Sequence, residues 1–381
     1  MKYCLMNAKP KKIYCTVTND LSQDQRMQRI CTTLTQAGYQ TTLLGRKLPN
    51  SRPLVDYVFT QKRLPCFFKK GKFFYLEYNI RLFFFFLFLR RYDTVCAVDL
   101  DTLLAVSWAC WWRRKKCIYD AHEYFTELPE LVERPKIRAL WAWVAKSCIP
   151  RVAAAYTVCQ SLADIFEKEY HSKFEVVRNV PFAQASTPTL SRQEGPYILL
   201  YQGMLNEGRG LEALLEAMQY FDKEEVQLWL VGEGDCSAAL RRQAETLELG
   251  EKVKFWGFIQ PAALKEITQK ADLGLNLLEN KGLNYYYSLA NKFFDYVQAE
   301  KPSINMDFPE YRTHCQEFEV AILVPDLAVE SLVASIRGLV DDSDCYSKLQ
   351  ANCKAAKKKW TWEQEESILL RIYKKIFESA D

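Results

Sequence analysis

A glycine-rich turn in the second half of the chain has the composition of a phosphate-binding loop. Three glycines and Arg209 lie in the turn 202–210, between an apolar run at 197–201 and an amphipathic stretch. Glycines let the backbone approach a pyrophosphate closely. An arginine adds positive charge and paired hydrogen bonds. Gly203 and Arg209 are therefore predicted to contact a diphosphate.

A second stretch further along repeats the order of strand, loop and helix. The apolar run 273–278 predicts a buried strand, and Ser288 is expected to cap a helix over 288–299. The first turn of that helix would offer free N–H groups and the cation of Lys292 to an anion. Taken alone, the stretch is more typical of an ordinary capped helix. The glycine-rich turn upstream is what favours a phosphate site.

A third candidate group lies in the first third of the chain. His122 comes just after a short strand that begins at Lys116, with Asp120 and Glu123 beside it. An imidazole just past a strand end is well placed for a cleft. The alternative is a histidine held structurally by a neighbouring backbone group. The residues alone leave these two interpretations equal.

Asp99 and Asp101 follow another apolar strand. Two carboxylates at this spacing could hold a divalent metal on a diphosphate. Caps and turns also favour aspartate, so Asp101 could instead cap the helix expected from Thr102. The downstream architecture argues against a metal here, and no metal site is predicted.

Two motifs resemble those of a known family. Asn-Lys-Phe-Phe-Asp-Tyr at 291–296, followed by Lys301 and Pro302, resembles the donor-site helix of retaining glycosyltransferases with the GT-B fold. The stretch 119–123 resembles the N-domain motif of the same enzymes. More narrowly, the chain is similar to the large bacterial family 4-like group (glycosyl transferases group 1) that builds surface polysaccharides and glycolipids. The resemblance covers most of the chain.

The resemblance implies an α/β fold with two Rossmann-like domains facing across a cleft and a C-terminal helix crossing back to the N-terminal domain. The expected domains are 1–182 for the acceptor, 197–361 for the nucleotide-sugar donor, a linker at 183–196, and the final helix at 362–381. A chain of 381 residues is also too long for one ordinary core.

The family's residue roles transfer to matching positions. His122 would act catalytically by facing the donor sugar, and Asp295 would bind the ribose hydroxyls. Gly203, Arg209, Ser288, Asn291 and Lys292 would bind the donor diphosphate. The implied reaction moves a hexosyl or N-acetylhexosaminyl group from a nucleotide-diphosphate-sugar to an acceptor hydroxyl with retention, without metal or cofactor.

Two positions depart from the family pattern. The glutamate that usually contacts the donor sugar is replaced by Tyr287, and Met204 replaces the usual arginine of the glycine-rich turn. Glu279 is a substitute candidate for the sugar contact, together with Tyr287 itself. A solvated loop carboxylate is the stronger interpretation of Glu279.

The amino-acid composition indicates the class of protein and its cellular compartment. The chain is 49% hydrophobic and 26% charged, as in soluble globular proteins. Thirteen cysteines are scattered without CxxC pairs, and no signal peptide is evident. We therefore expect reduced thiols and a cytoplasmic location. Three scattered histidines do not suggest a zinc site.

The first third also carries clustered basic residues and an aromatic run. The basic clusters, most typical of solvated faces, favour an anionic membrane surface over nucleic acid, because no nucleic-acid module accompanies them. The run 82–89 is too short to span a bilayer. It predicts a buried helix first, a helix in the membrane interface second, and a core strand third. Peripheral attachment to the inner face of the membrane follows from the second option.

Other functions remain open from the sequence. The chain could be a non-catalytic nucleotide-sugar sensor or partner subunit, a sugar-nucleotide epimerase, or a phosphorylase of the same fold. The acceptor of a transferase would be a saccharide or a lipid-linked saccharide.

Overall fold

The computed structural model describes residues 9–22, 24–184 and 195–378. The chain divides into two compact units. The N-terminal unit extends to Asn179 and takes in the chain from Glu365 onward, and the C-terminal unit is Val180–Gln364. Most of the predicted linker, residues 185–194, lies outside the described residues.

The N-terminal unit is built on a seven-stranded parallel sheet in the order β3-β2-β1-β4-β5-β6-β7, within the described part of the chain. Its strands are β1 Lys12–Thr16, β2 Gln40–Lys47, β3 Thr60–Pro65, β4 Thr94–Val98, β5 Lys116–Ala121, β6 Ala154–Thr157 and β7 Phe174–Val176. Its helices are α1 Gln25–Gln36, α2 Gly71–Phe88, α3 Leu100–Trp112, α4 Pro129–Val132, α5 Pro135–Cys148 and α6 Gln160–Tyr170. The strands read as apolar runs because both faces of such a sheet are covered by helices.

The C-terminal unit repeats this plan with six parallel strands in the order β10-β9-β8-β11-β12-β13, again among the described residues. The strands are β8 Tyr197–Gln202, β9 Val226–Val231, β10 Val253–Gly257, β11 Leu273–Asn276, β12 Ser303–Met306 and β13 Ala321–Val324. The helices are α7 Leu211–Ala217, α8 Ser237–Thr246, α9 Pro261–Lys270, α10 Leu283–Tyr286, α11 Asn291–Gln298, α12 Pro309–Glu317, α13 Val329–Val340, α14 Ser343–Ala356 and α15 Trp362–Glu378.

Each unit has one place where the strand order reverses. In the N-terminal unit, β1 pairs with both β2 and β4, and in the C-terminal unit β8 pairs with both β9 and β11. Ligands of doubly wound sheets bind beyond the carboxyl ends of the strands at such a switch point. The predicted site residues follow β4, β5, β8 and β11, so the topology places them at these two edges.

The last helix, α15, begins in the C-terminal unit and continues in the N-terminal unit from Glu365 onward. Glu365 is buried and accepts hydrogen bonds from both the backbone N–H and the guanidinium of Arg178. The aromatic side chain of Tyr373, in the second half of α15, is also fully buried. The end of the chain therefore belongs to the first unit.

The aromatic run predicted first as a buried helix lies in α2. A helix is present, but it is buried on one face only, through Phe74, Tyr78, Leu82 and Phe86. The apolar side chains on its other face are exposed, so the prediction of full burial is wrong. No helix in the described ranges has both the length and the apolar character needed to cross a bilayer.

Candidate active site

The N-terminal unit contains a buried network that ends at His122. Asp120, at the carboxyl end of β5, is fully buried. It accepts a hydrogen bond from Nη2 of Arg26 at 2.9 Å, and its Oδ2 lies 3.0 Å from Nε2 of His122. Arg26 also donates to the carbonyl of Val177 at 2.9 Å. Asp120 therefore fixes the imidazole ring, and Arg26 fixes Asp120.

The first turn of α1 supplies the arginine of this network. Asp24 caps the helix by accepting a hydrogen bond from the N–H of Met27. Arg26, two residues further on, is only 3% exposed. A buried arginine is stable only with its charge matched, and Asp120 provides the match.

Charge controls the protonation of the histidine. Burial works against a charged ring, but the carboxylates of Asp120 and Asp99 outweigh it and raise the pKa of His122 to about 9. Burial alone would raise the pKa of Asp120, but the charges of Arg26 and His122 overcome that effect and lower it. At neutral pH the imidazolium of His122 therefore faces the carboxylate of Asp120, whereas burial raises the pKa of Asp99 well above its ordinary value.

Asp99 supports the same histidine from the neighbouring strand. Its Oδ1 accepts the backbone N–H of His122 at 2.9 Å, and its Oδ2 lies 3.8 Å from Nδ1 of the ring. The backbone of Asp99 has φ +56°, a left-handed conformation that non-glycine residues adopt at a cost. Strain of this kind persists only where the surroundings impose it. Here the strained backbone directs the carboxyl group of Asp99 toward His122.

Asp101 does not cap α3, because that helix already begins at Leu100. Its carboxylate instead accepts a hydrogen bond from Oγ1 of Thr18 at 2.7 Å. Burial raises the pKa of Asp101 to about 7. In the described part of the chain, no three histidine, cysteine, aspartate or glutamate side chains form a group that could hold a metal ion.

In the C-terminal unit, the glycine-rich turn and α11 meet at Gly203 and Lys292. Gly203 has φ +139°, and a β-carbon built on it would lie 3.3 Å from Nζ of Lys292. The glycine-rich turn also lies very close to the turn that follows β9. A β-carbon built on Gly232 of that second turn would lie only 1.8 Å from the carbonyl oxygen of Gly203. Only glycines fit this close approach, and they bring the backbone next to the lysine.

The two predicted cations of this unit rest on aromatic rings. Nζ of Lys292 lies 3.7 Å from the ring centre of Tyr201, and the guanidinium carbon of Arg209 lies 5.2 Å from that of Tyr285. Rings attract cations through their negative faces without neutralising them. The rings therefore hold the two side chains in place without pairing them with an anion.

Neither cation forms an ion pair with any carboxylate among the described residues. The buried Nε of Arg209 also lacks a hydrogen-bond partner within that part of the chain. Burial, and then the charge of Arg209, lowers the pKa of Lys292 well below its ordinary value, although Asp295 opposes the shift. An arriving anion would relieve this shared repulsion.

The amino end of α11 adds backbone donors beside Lys292. The helix begins at Asn291, and its preceding residue, Ala290, makes no side-chain cap. The predicted cap by Ser288 is wrong, because the Ser288 hydroxyl donates to the carbonyl of Tyr285 at 2.7 Å instead. The first N–H groups of a helix have no intrahelical acceptor, and those of Asn291 and Lys292 meet no other acceptor in the part of the chain that the structure describes.

Asp295 lies one turn further along α11, and the side chain of Gln202 holds its carboxylate. Its Oδ2 accepts a hydrogen bond from Nε2 of Gln202 at 3.1 Å, and Oε1 of Gln202 accepts one from Thr268 at 2.8 Å. Gln202 is the last residue of β8, directly before the glycine-rich turn. The aspartate is thus oriented at the same strand end as Gly203.

The two candidate sugar contacts differ in their surroundings. Glu279 donates its backbone N–H to the carbonyl of Gly208 at 3.0 Å, which places it beside the glycine-rich turn. Its carboxylate lies 2.7 Å from Nζ of Lys281. Tyr287 packs edge-on against Tyr286, with ring centres 5.0 Å apart. Neither residue's role in sugar binding is tested by these contacts, and both stay predictions.

The sequence reasoning missed three residues of this site. Tyr201 and Tyr285 support the cations, and Gln202 positions Asp295. A signal existed for two of them, because Tyr201 and Gln202 end the strand that leads into the turn. Nothing local marked Tyr285.

Comparisons with known proteins agree with this geometry. Residues 24–180 match the family model described as Glycosyltransferase Family 4, and residues 196–342 match the one described as Glycosyl transferases group 1. The chain is 32% identical over 156 residues to the alpha-monoglucosyldiacylglycerol synthase of Streptococcus pneumoniae. That match covers 38% of this chain and 35% of the synthase, so the chain spans about a third of the length of this curated relative.

Solved structures resemble the whole fold. Sucrose-phosphate synthase from Thermosynechococcus elongatus superposes with a TM-score of 0.76 at 16% identity, covering 97% of this chain and 100% of that one. The Anabaena protein HepE in complex with UDP-glucose superposes with a TM-score of 0.72 at 14% identity, covering 97% and 99%. At such identities the likeness establishes the fold alone.

The fold is therefore GT-B, with two Rossmann-like α/β units, which confirms the predicted fold class. The two family matches identify both units as glycosyltransferase domains.

Proposed function

We propose that this protein is a retaining glycosyltransferase that moves a hexosyl or N-acetylhexosaminyl group from a nucleotide-diphosphate-sugar to an acceptor hydroxyl. Both family matches carry the general class of reaction. The finer assignment of donor binding rests on one observation in the C-terminal unit, the pair of uncompensated cations beside free backbone N–H groups.

The donor diphosphate is the natural counter-ion of that pair. Lys292 and Arg209 form no ion pair with a carboxylate of the described chain, and each is held on a tyrosine ring. A bound anion would favour the protonated form of Lys292, whose pKa burial lowers. The N-terminus of α11 adds a partial positive charge and N–H donors at the same place. A diphosphate brings enough negative charge to satisfy all three groups.

The same groups would assist the chemical step. As the bond to the sugar breaks, negative charge develops on the leaving diphosphate, and fixed positive charge stabilises it. Arg209 and Lys292 supply this without metal in the proposed mechanism. Retention would follow from attack on the same face of the sugar, with the leaving phosphate oxygen taking the proton of the acceptor hydroxyl.

The remaining site residues take roles by resemblance. Asp295, oriented by Gln202, would bind the ribose hydroxyls. His122 would donate a hydrogen bond to a hydroxyl of the donor sugar, for which its raised pKa suits it. Gly203, Ser288 and Asn291 would line the diphosphate.

The relatives suggest the substrate class. One is named as a glucosyldiacylglycerol synthase and another binds UDP-glucose, so we propose a UDP-hexose donor and a lipid-linked or saccharide acceptor. Synthesis of a bacterial surface polysaccharide or glycolipid is the matching role. An enzyme with a lipid-linked acceptor would work peripherally at the inner face of the membrane.

The test is sugar transfer from UDP-, GDP- and ADP-hexoses to a lipid extract and to oligosaccharides. Arg209→Ala and Lys292→Ala should each abolish transfer while thermal unfolding stays unchanged. Lys265→Ala removes an exposed lysine of the same unit and should leave transfer intact. Normal turnover in either of the first two variants would remove the proposed diphosphate site.

One observation favours a second candidate, a nucleotide-sugar-binding partner without catalysis. Tyr287 stands where the resemblance expects a glutamate, and the nearby carboxylate of Glu279 is engaged by Lys281. Donor binding without transfer to any acceptor would support this candidate. A gain of transfer in Tyr287→Glu would show that the missing carboxylate is what limits the chain.

A further inference from the structure

A wide cavity opens on the N-terminal unit, between the ends of α3 and α5. Its volume is about 1290 Å³. Tryptophans and basic residues line it, and we call the following set the aromatic–basic face: Trp108, Trp111, Trp112, Trp143, Arg114 and Lys115.

The tryptophans of this face are strongly exposed. Trp111 is 75% and Trp112 66% exposed, and Trp108 and Trp143 are each about half exposed. Large apolar side chains gathered in one exposed patch mark a surface that meets something else. An isolated exposed tryptophan needs no such explanation, but four around one cavity do.

The charge of the aromatic–basic face has one sign. Among the described residues that line the cavity, Arg114 and Lys115 are joined by Lys116 and Arg151, and none is acidic. Basic residues after a helix also stabilise its negative carboxyl end, which would account for one or two of them after α3. Arg151 likewise donates to the carbonyl of Ser147 in the last turn of α5, and Lys116 donates to the carbonyl of Ile376 in α15. Such interactions with helix ends do not account for the four exposed tryptophans.

The neighbouring helix extends this surface. Nη2 of Arg113, which ends α3, donates to the carbonyl of Leu89, which ends α2, at 3.1 Å. Phe88 is 74% exposed on the last turn of α2, and Phe84 stacks on it with ring centres 6.0 Å apart. The carboxyl ends of α2 and α3 are therefore joined, and the exposed Phe88 belongs to the last turn of α2.

We propose that the aromatic–basic face docks this protein onto an anionic phospholipid bilayer. Tryptophan prefers the boundary between lipid headgroups and acyl chains, where its ring is apolar and its N–H reaches water. Arginine and lysine at the same depth pair with lipid phosphates. The combination of the two residue types around one cavity fits this partner.

A second copy of the chain fits less well. A two-fold contact through this surface would bring the same patch of each copy together. Arg114 and Lys115 of both copies would then meet without carboxylates from the cavity lining to neutralise them. Charge complementarity selects an anionic partner instead.

The position of the face leaves the candidate active site free. Lys116 and Ala153 line the cavity at the amino ends of β5 and β6, whereas Asp120 and His122 lie at the carboxyl end of β5. The inference extends the proposed function by naming a surface for membrane attachment. It does not depend on donor turnover, so the two can fail separately.

Co-sedimentation of the full chain with vesicles tests the proposal. Vesicles of phosphatidylcholine with phosphatidylglycerol should bind the protein, and vesicles of phosphatidylcholine alone should bind it much more weakly. Raising the salt concentration should reduce binding, since the attraction falls off within a Debye length. Failure to bind the anionic vesicles at low salt would overturn the proposal.

Two double variants locate the surface. Arg114→Glu with Lys115→Glu should lower the partition coefficient by at least about 30-fold, because each basic residue near the bilayer contributes roughly fivefold. Trp111→Ser with Trp112→Ser should lower it by at least about tenfold. Trp111, Trp112 and Arg114 are exposed and Lys115 is half-buried, so thermal unfolding should change little.

The matched control is Arg242→Glu with Lys265→Glu, which makes the same change of charge at exposed positions of the C-terminal unit. It should bind vesicles nearly as wild type does. Equal losses in the control and the Arg114–Lys115 variant would show binding by net charge alone and would contradict a specific face. A dimer that both face variants disrupt, without vesicle binding by wild type, would assign the face to a second copy.

Discussion

The two candidate groups, one in each unit, treat charge in opposite ways. In the N-terminal unit, the ring of His122 lies in a matched network: Arg26 pairs with Asp120, and Asp120 lies 3.0 Å from Nε2 of the imidazole. In the C-terminal unit, Lys292 and Arg209 have aromatic rings beneath them and form no ion pair with a carboxylate of the described chain.

The difference indicates what each group is for. A matched buried pair holds its members in a fixed geometry, and so the N-terminal network orients His122. Unmatched cations raise the energy of the empty protein and lower it again when an anion binds. We infer that the N-terminal group is a positioning network and the C-terminal group is an anion receptor.

The largest expected effect comes from breaking the matched pair. Arg26→Met removes the arginine from the buried carboxylate of Asp120 and leaves His122 to face it, and should lower the free energy of unfolding by about 3–5 kcal/mol. Chemical denaturation followed by circular dichroism measures it. Arg371→Met is the control, since that arginine is 69% exposed and its pairing with Glu175 is loose. If Arg26→Met changed the free energy of unfolding as little as Arg371→Met, the network around Asp120 would not stabilise the N-terminal unit.

A smaller effect should follow the titration of His122. Its folded pKa of about 9 exceeds its unfolded value of about 6.5, so its contribution to stability is complete below about pH 6.5 and is lost as pH rises through 9. The difference in unfolding free energy between wild type and His122→Gln should therefore shrink from at most about 3 kcal/mol to near zero over that range. Denaturant titrations from pH 6 to pH 10 measure it. A difference that does not vary with pH would contradict a protonated ring.

The smallest effect should separate the ribose from the diphosphate. Asp295→Asn should weaken UDP binding about tenfold by removing a charged hydrogen-bond acceptor, and should leave the affinity for inorganic pyrophosphate unchanged. Asp222→Asn, at an exposed position of the same unit, should change neither affinity. Equal losses for UDP and pyrophosphate would mean that Asp295 acts on the diphosphate region instead.

Local sequence patterns were enough to predict the secondary-structure positions of the main candidate residues in both units. Glycines with Arg209 after a strand, Lys292 in a first helical turn, and His122 past the end of β5 all follow from short-range sequence rules, and the structure places each as predicted. The ends of strands and helices depend on a few adjacent residues, which a sequence displays directly.

Contacts between distant parts of the chain were not predictable. Arg26 and Asp120 are 94 residues apart, and the partnership that buries them is invisible in either segment. The rings under Lys292 and Arg209 come from other elements for the same reason. Similarly, the composition of α2 predicted a helix but could not show which of its aromatic faces would be covered.

The central claim is that Lys292 and Arg209 receive a diphosphate. Calorimetric titration of UDP and UMP into wild type, Lys292→Met and Arg209→Met tests it most directly. The account predicts that wild type prefers UDP, that each variant loses about 10- to 100-fold in UDP affinity, and that UMP affinity falls much less. The variants should also unfold no more easily than wild type, because each loses an uncompensated charge. Unchanged UDP affinity in both variants would contradict the account.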